Sequence, residues 1–391
     1  MTALSVNGLS SVGNLMVSVS VARGESLSGL GQFALTLSLY VLVIGLVRTA
    51  VTEAVLAART APARCTIRQG ARRAAAVAVA AGVITAATGA VLGSPYLTVA
   101  GLALPGLVAY DYVKAISIGV GRTRVAWAQE CAWLGLTVLS VGTVLVADAP
   151  PVMIFVGWAA SGAVLGIVVA RWQRYGMLPR WGLDRRDSRV AASFAGQFLV
   201  TAGSAQLALS ALAATAGVAV VGALGAARTV FGPVTLLTTT LSALIVPYLA
   251  QSRADTPRAR LRAAGAAVAL TVGVLLPLVI VVCLLPDEVG RAVLGDNWQA
   301  ARPLLPLLSV EALLEPIALV AFAGHRVQSA GARALAIGVL LGPLRIATIV
   351  AGGVLFGAAG AAGALAVLAL LSAACWWLSY RRLNATPADS R

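Results

Sequence analysis

Charged residues are scarce in this chain of 391 residues. Only 11% of the residues are charged, against about 25% in typical soluble domains, and 59% are hydrophobic. A soluble protein of this size has no core large enough to hide so much apolar surface. A bilayer accepts that surface directly, so the composition excludes an ordinary soluble protein and predicts an integral membrane protein.

Lysine, histidine and cysteine are also rare. Lys114 is the one lysine beside 28 arginines, and His325 is the one histidine. The cysteines form no CxxC pair and no metal spacing with His325; they are Cys65, Cys131, Cys283 and Cys375. The sequence therefore predicts no catalytic residues, no metal site and no cofactor, and we expect a protein that is not an enzyme.

Long apolar runs are what the chain has instead. A helix needs roughly 20 mostly apolar residues to cross a hydrocarbon core of about 30 Å. The sequence predicts twelve such helices, and Pro233 and Pro247 make the eighth a candidate for a broken helix. The twelve are residues 4–22, 32–57, 74–93, 96–118, 125–147, 152–171, 190–214, 218–249, 263–285, 303–323, 332–353 and 357–380.

The arginines fall in alternate loops, which sets the expected orientation. If the N-terminus is cytoplasmic, the inside segments hold 23 of the 29 basic residues, as the positive-inside rule requires. We therefore expect a multi-pass protein of the bacterial inner membrane with both termini cytoplasmic. This placement also accounts for the net charge of +15, so we expect no nucleic-acid partner.

The longest interior loop, residues 172–189, falls near the middle of the chain. It separates six predicted helices from six more, and each half starts and ends on the same side. The sequence therefore predicts two parallel six-helix halves, residues 1–180 and residues 181–391. Short echoes support a repeat, since Pro105 precedes Asp111 in the fourth helix and Pro306 precedes Glu311 in the tenth.

Charged residues inside the predicted helices are the main functional signal, because each costs about 2.5–3.5 kcal/mol at a helix centre. Three arginines suit an anion, since guanidinium binds phosphate oxygens through two donors. These candidate substrate-binding residues are Arg48, Arg228 and Arg345. The alternative is that each arginine only pairs with a buried acid or reaches an interface.

Four acids are candidates for coupling to H⁺ or Na⁺: Glu53, Asp111, Glu311 and Glu315. Glu311 and Glu315 are four residues apart and share one helix face, where two carboxylates resist being ionised together. The alternatives are structural. Asp111 and Lys114, three apart, suit a local ion pair, and the buried Glu130 suits a structural partner. On an ideal α-helix Glu53 lies about 140° away from Arg48, too far round to pair with it.

The first helix carries polar residues along one face, at spacings of four, three and four: Asn7, Ser11, Asn14 and Ser18. Such a stripe suits an aqueous path, and we name Asn14 as a further candidate for substrate binding. Tight packing of small residues against another helix explains the stripe equally well.

Several stretches resemble the polysaccharide-export flippases of the multidrug/oligosaccharidyl-lipid/polysaccharide exporter superfamily. They are residues 11–23, 31–35, 48–53, 110–114, 121–124, 222–233 and 290–303, including Gly290-Arg-Ala-Val-Leu-Gly295-Asp-Asn-Trp298. The resemblance implies two six-helix bundles around a cationic cavity that opens to either side in turn. It also implies an anionic, polyprenyl-diphosphate-linked saccharide as the substrate, for surface polysaccharide synthesis.

Two other functions remain open at this stage. One is a cation-coupled exporter of small drug-like molecules from the same superfamily, although its pockets favour aromatic and Met side chains, and only 6% of these residues are aromatic. The other is a scaffold that transports nothing but holds glycan-synthesis membrane proteins together.

Overall fold

The computed structural model describes residues 3–56, 64–180, 192, 195–251, 256–328 and 330–385, and these residues are helical with short connections. Residues 181–189 of the predicted long interior loop lie outside the described part of the chain, and so does the side chain of Asn7. Two compact units are present, Met1–Ser210 and Ala211–Arg391.

The first unit contains six long helices. They are α1 (Ala3–Gly24), α2 (Leu27–Leu56), α3 (Arg64–Val91), α4 (Pro95–Gly119), α5 (Thr123–Val146) and α6 (Val152–Trp172). Small residues let their backbones approach closely, as is common between membrane helices. A Cβ added at Gly166 of α6 would meet backbone atoms of Gly106 and Tyr110 on α4. The unit therefore packs tightly around α4, most of which is buried.

The seventh span begins within this first unit. A π-helical turn at Leu199–Gly203 precedes α7 (Ser204–Ala216). Ser38 of α2 lies with its Oγ 2.8 Å from Oε1 of Gln206. This contact explains why the first unit extends past residue 180. The predicted boundary at 180/181, which concerned the halves of a repeat, stays a prediction.

The second unit continues with α8 (Val218–Val230), α9 (Gly232–Gln251), α10 (Pro257–Cys283), α11 (Asp287–Leu294) and α12 (Leu305–Val327). The predicted break in the eighth span lies at Phe231, between α8 and α9. Pro233 follows two residues later, and it has no N–H to continue the helical bonding of α8. Proline therefore starts α9 where α8 ends.

The last two helices run together in sequence as Gly331–Ala385, and Phe356 and Gly357 leave helical geometry between them. We label residues 331–355 α13 and residues 358–385 α14. Gly357 has φ +62°, a conformation that favours glycine. A Cβ at Gly352 or Gly360 would meet the backbone of the other glycine. Gly357 therefore permits the turn between the two helices, and Gly352 and Gly360 permit their close approach.

The prediction of an all-α polytopic membrane protein with about twelve spans is confirmed. Among the described residues, nine helices are long and apolar enough to cross a membrane, and one of them, Gly331–Ala385, contains two. The first helix, α1, and the shorter α7 complete the twelve, with α8 and α9 forming the eighth together. The orientation of the termini stays a prediction.

Candidate functional site

A bidentate ion pair joins α2 to α4 inside the first unit. Nε of Arg48 lies 3.2 Å from Oδ2 of Asp111, and Nη2 of Arg48 donates to Oδ1. Asp111 is buried, whereas 44% of the Arg48 side chain is exposed. The predicted local pair between Asp111 and Lys114 is therefore wrong. The guanidinium fork of Arg48 matches a carboxylate better than the single ammonium of Lys114 does.

Arg48 begins a π-helical turn, Arg48–Thr52, within α2. The backbone N–H of Glu53 donates to the carbonyl of Arg48, which closes a turn of five residues. The angle of 140° assumed 3.6 residues per turn and does not apply across this wider turn, which brings Glu53 nearer to the Arg48 face of the helix. Arg48 nevertheless pairs with Asp111 and not with Glu53, whose charge acts on it more weakly. Arg48, Glu53 and Asp111 thus form one charged group.

A second ion pair in the first unit is almost fully buried. Nζ of Lys114 on α4 lies 2.8 Å from Oε1 of Glu130 on α5, and the side chains are only 10% and 1% exposed. Ser10 of α1 donates to Oε2 of Glu130 at 2.6 Å and lies 3.1 Å from Nζ of Lys114. Three helices therefore meet at one compact polar cluster. The structural partner expected for Glu130 is Lys114, which the sequence analysis paired with Asp111.

A small cavity adjoins this cluster. Its volume is about 10 Å³, close to the minimum for one water molecule, and its lining includes Ser10, Asn14, Glu130 and Thr137. The candidate Asn14 therefore lies one helical turn from Ser10, beside the buried Glu130. Ser10 was not among the residues predicted from the sequence. Its spacing of four from Asn14 was the available signal.

Removing one partner of the Lys114–Glu130 pair is expected to destabilise the protein strongly. A charge left unpaired at a buried site costs about 3–5 kcal/mol, so Lys114→Met and Glu130→Gln should each lower the unfolding temperature sharply. The double variant Lys114→Met/Glu130→Gln leaves no buried charge and should be much closer to the wild type. Thermal unfolding of the purified protein in detergent measures this. Single and double variants with equal losses would contradict a coupled pair.

The second unit also joins the corresponding helices by an ion pair. Nη2 of Arg228 on α8 lies 3.3 Å from Oε1 of Glu311 on α12. The Arg228 side chain is 41% exposed. Glu315 follows one turn later on α12, and the charges of Glu311, Arg228 and Arg345 all act on it. Arg345 of α13 is half-buried. The structure thus brings the four candidates of this unit into one cluster.

The charged residues of the two units lie on spans that correspond by order. The second and fourth spans supply Arg48–Asp111, and the eighth and tenth supply Arg228–Glu311. The fourth and fifth spans pair a base with an acid, Lys114 with Glu130. In the tenth and eleventh spans the signs are reversed, with the acid Glu315 on α12 and the base Arg345 on α13. The first unit thus holds two bases and two acids as two separate ion pairs, with Glu53 as a further acid, and the second unit holds two bases and two acids in one cluster.

The described residues contain no cluster of side chains suited to binding a metal ion. No group of three or more His, Cys, Asp or Glu side chains comes together among them to hold a metal ion. All four cysteines are free thiols. The polar chemistry of both clusters is instead that of carboxylates with guanidinium or ammonium groups.

Comparisons with known proteins place the fold. No protein-family model matches the sequence, and no curated protein sequence matches it either. Solved structures do match. An inward-facing multidrug resistance MATE family transporter of the MOP superfamily aligns with TM-score 0.69 and 14% identity, over 98% of this chain and 95% of that one. An outward-facing one aligns with TM-score 0.61 and 13% identity, over 98% and 93%.

A third match bears on polarity. A MOP superfamily transporter from Pyrococcus furiosus aligns with TM-score 0.61 and 14% identity, over 98% of this chain and 93% of that one. Its binding pocket is described as having a reverse polarity that suggests a different function. At these identities the likeness shows a shared fold, which is that of MATE transporters. Membership of the polysaccharide-export family that the sequence resembles stays a prediction.

Proposed function

We propose that this protein is an alternating-access exporter driven by a cation gradient. One observation carries the proposal: each unit holds two bases and two acids whose charges interact between helices, in spans that correspond by order. Charges inside membrane helices are costly, and they characteristically mark substrate or ion pathways. The fold supports the proposal, because similar transporters are known in inward-facing and outward-facing forms.

Coupling is proposed at Glu311 and Glu315, where either H⁺ or Na⁺ would act. Two carboxylates one turn apart repel each other, and a bound cation or proton relieves that repulsion. Neutralising Glu311 weakens its ion pair with Arg228, and neutralising Glu315 weakens its electrostatic attraction to Arg345. A cation arriving on α12 would therefore free arginines on α8 and α13. Breaking contacts between helices is a direct route to a change of conformation.

Small molecules are the cargo that the comparisons favour. The matching transporters include multidrug resistance proteins, and cation-coupled drug export is the corresponding function for this chain. The pairing of Arg48 and Arg228 with acids also supports this cargo, since a paired guanidinium attracts an anion less than an unpaired one does.

A lipid-linked saccharide is the second candidate, and one observation favours it. The side chains of Arg48 and Arg228 remain 44% and 41% exposed despite their ion pairs. Each guanidinium has five N–H donors, so donors remain for the oxygens of a diphosphate. On this alternative the export of a polyprenyl-diphosphate saccharide serves surface polysaccharide synthesis.

Deleting the gene in its own host separates the two cargoes. If small molecules are exported, the deletion strain should become more sensitive to some cationic compounds, while its lipid-linked saccharides stay at wild-type levels. Mass spectrometry of the lipid extract and a panel of growth inhibitors measure both. An accumulated polyprenyl-diphosphate saccharide, cured by the wild-type chain, would instead establish the second candidate. A deletion strain that shows neither change but loses glycan assembly would point to a scaffold.

A further inference from the structure

A basic cleft opens in the second unit where α10 begins and α14 ends. Its volume is about 420 Å³, and three arginines line it, Arg258 on α10 and Arg381 and Arg382 on α14. Among the described residues, seven line the cleft and none of them is acidic; apart from Asn384 the rest are apolar, among them Leu261. Positive charge is therefore concentrated beside an apolar wall.

The position of the cleft along the helices is that of lipid headgroups. α10 starts the ninth span and α14 ends the twelfth, so an even number of crossings separates these two ends and both lie at the same membrane face. Trp377, one turn before the two α14 arginines, is partly exposed, and such aromatic residues are enriched at the level of the headgroups. Farther from the cleft both helices expose apolar side chains, such as Leu270 and Leu378.

We propose that this cleft binds the headgroup of an anionic phospholipid. Arginine forks bind phosphate oxygens through two donors, and basic pockets between membrane helices are a known kind of site for anionic headgroups. Leu261 and the apolar stems of the arginines suit the glycerol and the upper acyl chain. A free phosphate would gain nothing from that apolar wall, so the lipid is the favoured source of the phosphate. The proposal is independent of any transported cargo.

The test is lipid retention by the purified protein, measured by native mass spectrometry after exchange into phosphatidylglycerol or phosphatidylcholine. The wild type should retain phosphatidylglycerol at least tenfold better than phosphatidylcholine. The variant Arg258→Gln/Arg381→Gln/Arg382→Gln should lose most of that preference. The matched control, Arg64→Gln/Arg124→Gln/Arg171→Gln, removes three exposed arginines from the first unit and should keep it.

Several outcomes would overturn the proposal. One is equal retention of phosphatidylglycerol by the two triple variants. Another is displacement of the lipid by millimolar inorganic phosphate, which would mean a simple anion site. If the cleft variant does not purify, the single variants Arg258→Gln and Arg381→Gln carry the test. Each should weaken retention about threefold to tenfold, and no loss in either would also reject the site.

Discussion

Glu315→Gln is expected to abolish cation-driven export while leaving the protein inserted and folded. The substitution removes a negative charge that repels Glu311 and attracts Arg345. Glutamine neither takes up a proton nor carries a negative charge that would attract Na⁺. An interaction of about 2–3 kcal/mol with a charged group corresponds to roughly 100-fold in a rate or an affinity, so we expect a loss of that size. Glu311→Gln should lose a similar amount, because it breaks the pair with Arg228.

Glu288→Gln is the matched control for these two variants. Glu288 is an exposed acid in the first turn of α11, and it carries the same charge outside the cluster. Gradient-driven export of a fluorescent substrate from inverted vesicles gives the comparison. Near-normal export by Glu311→Gln and Glu315→Gln would remove the coupling role from α12. A parallel loss in the Glu288 variant would trace the effect to net charge alone.

Arg48→Gln and Asp111→Asn are each expected to lower the rate of export by about 100-fold. On our account the bidentate pair itself matters, since it ties α2 to α4 in one conformation. The two variants should differ in stability. Arg48→Gln leaves the buried Asp111 without its partner, whereas Asp111→Asn leaves a half-exposed Arg48 that water can solvate. Export assays and thermal unfolding of the same preparations measure the two effects.

The same two variants discriminate between the cargoes. If Arg48 binds a diphosphate, Asp111→Asn frees its guanidinium and should keep or strengthen binding, while Arg48→Gln abolishes it. The pair Arg302–Asp287 offers a matched control, because it joins the same residue types at 2.9 Å and is exposed. Arg302→Gln should change export little, since exposed ion pairs contribute about 0–1 kcal/mol and Asp287 keeps its hydrogen bond from Trp298.

The helices were predictable because membrane thickness fixes their length. A run of about 20 apolar residues gives a span whatever its neighbours do, and Pro233 marks the break before α9 through its missing N–H. The candidate residues Arg48, Asp111, Glu311 and Glu315 were found because charge is rare and costly in such runs. Apolar run length, proline and buried charge can each be read from a single segment of the sequence, without knowing which helices pack together.

The partners of those charges were not predictable in the same way. Asp111 has Lys114 three residues away in sequence, yet it pairs with Arg48 from another helix, because packing of α2 on α4 decides which base is in reach. The π-helical turn at Arg48–Thr52 defeats any estimate made with 3.6 residues per turn. Ser10 shared a helix face with Asn14, but its contact with Glu130 depends on the packing of α1 against α4 and α5.

The central claim is that a cation bound at Glu311 and Glu315 changes which conformation is populated. The most direct test is double electron–electron resonance with spin labels at Val146, at the end of α5, and Leu284, just after α10, both exposed. The four native cysteines are first replaced by serine. We predict two distance populations whose ratio shifts with pH or Na⁺ in the wild type and stays fixed in Glu315→Gln. A single population that neither cation changes would contradict the account.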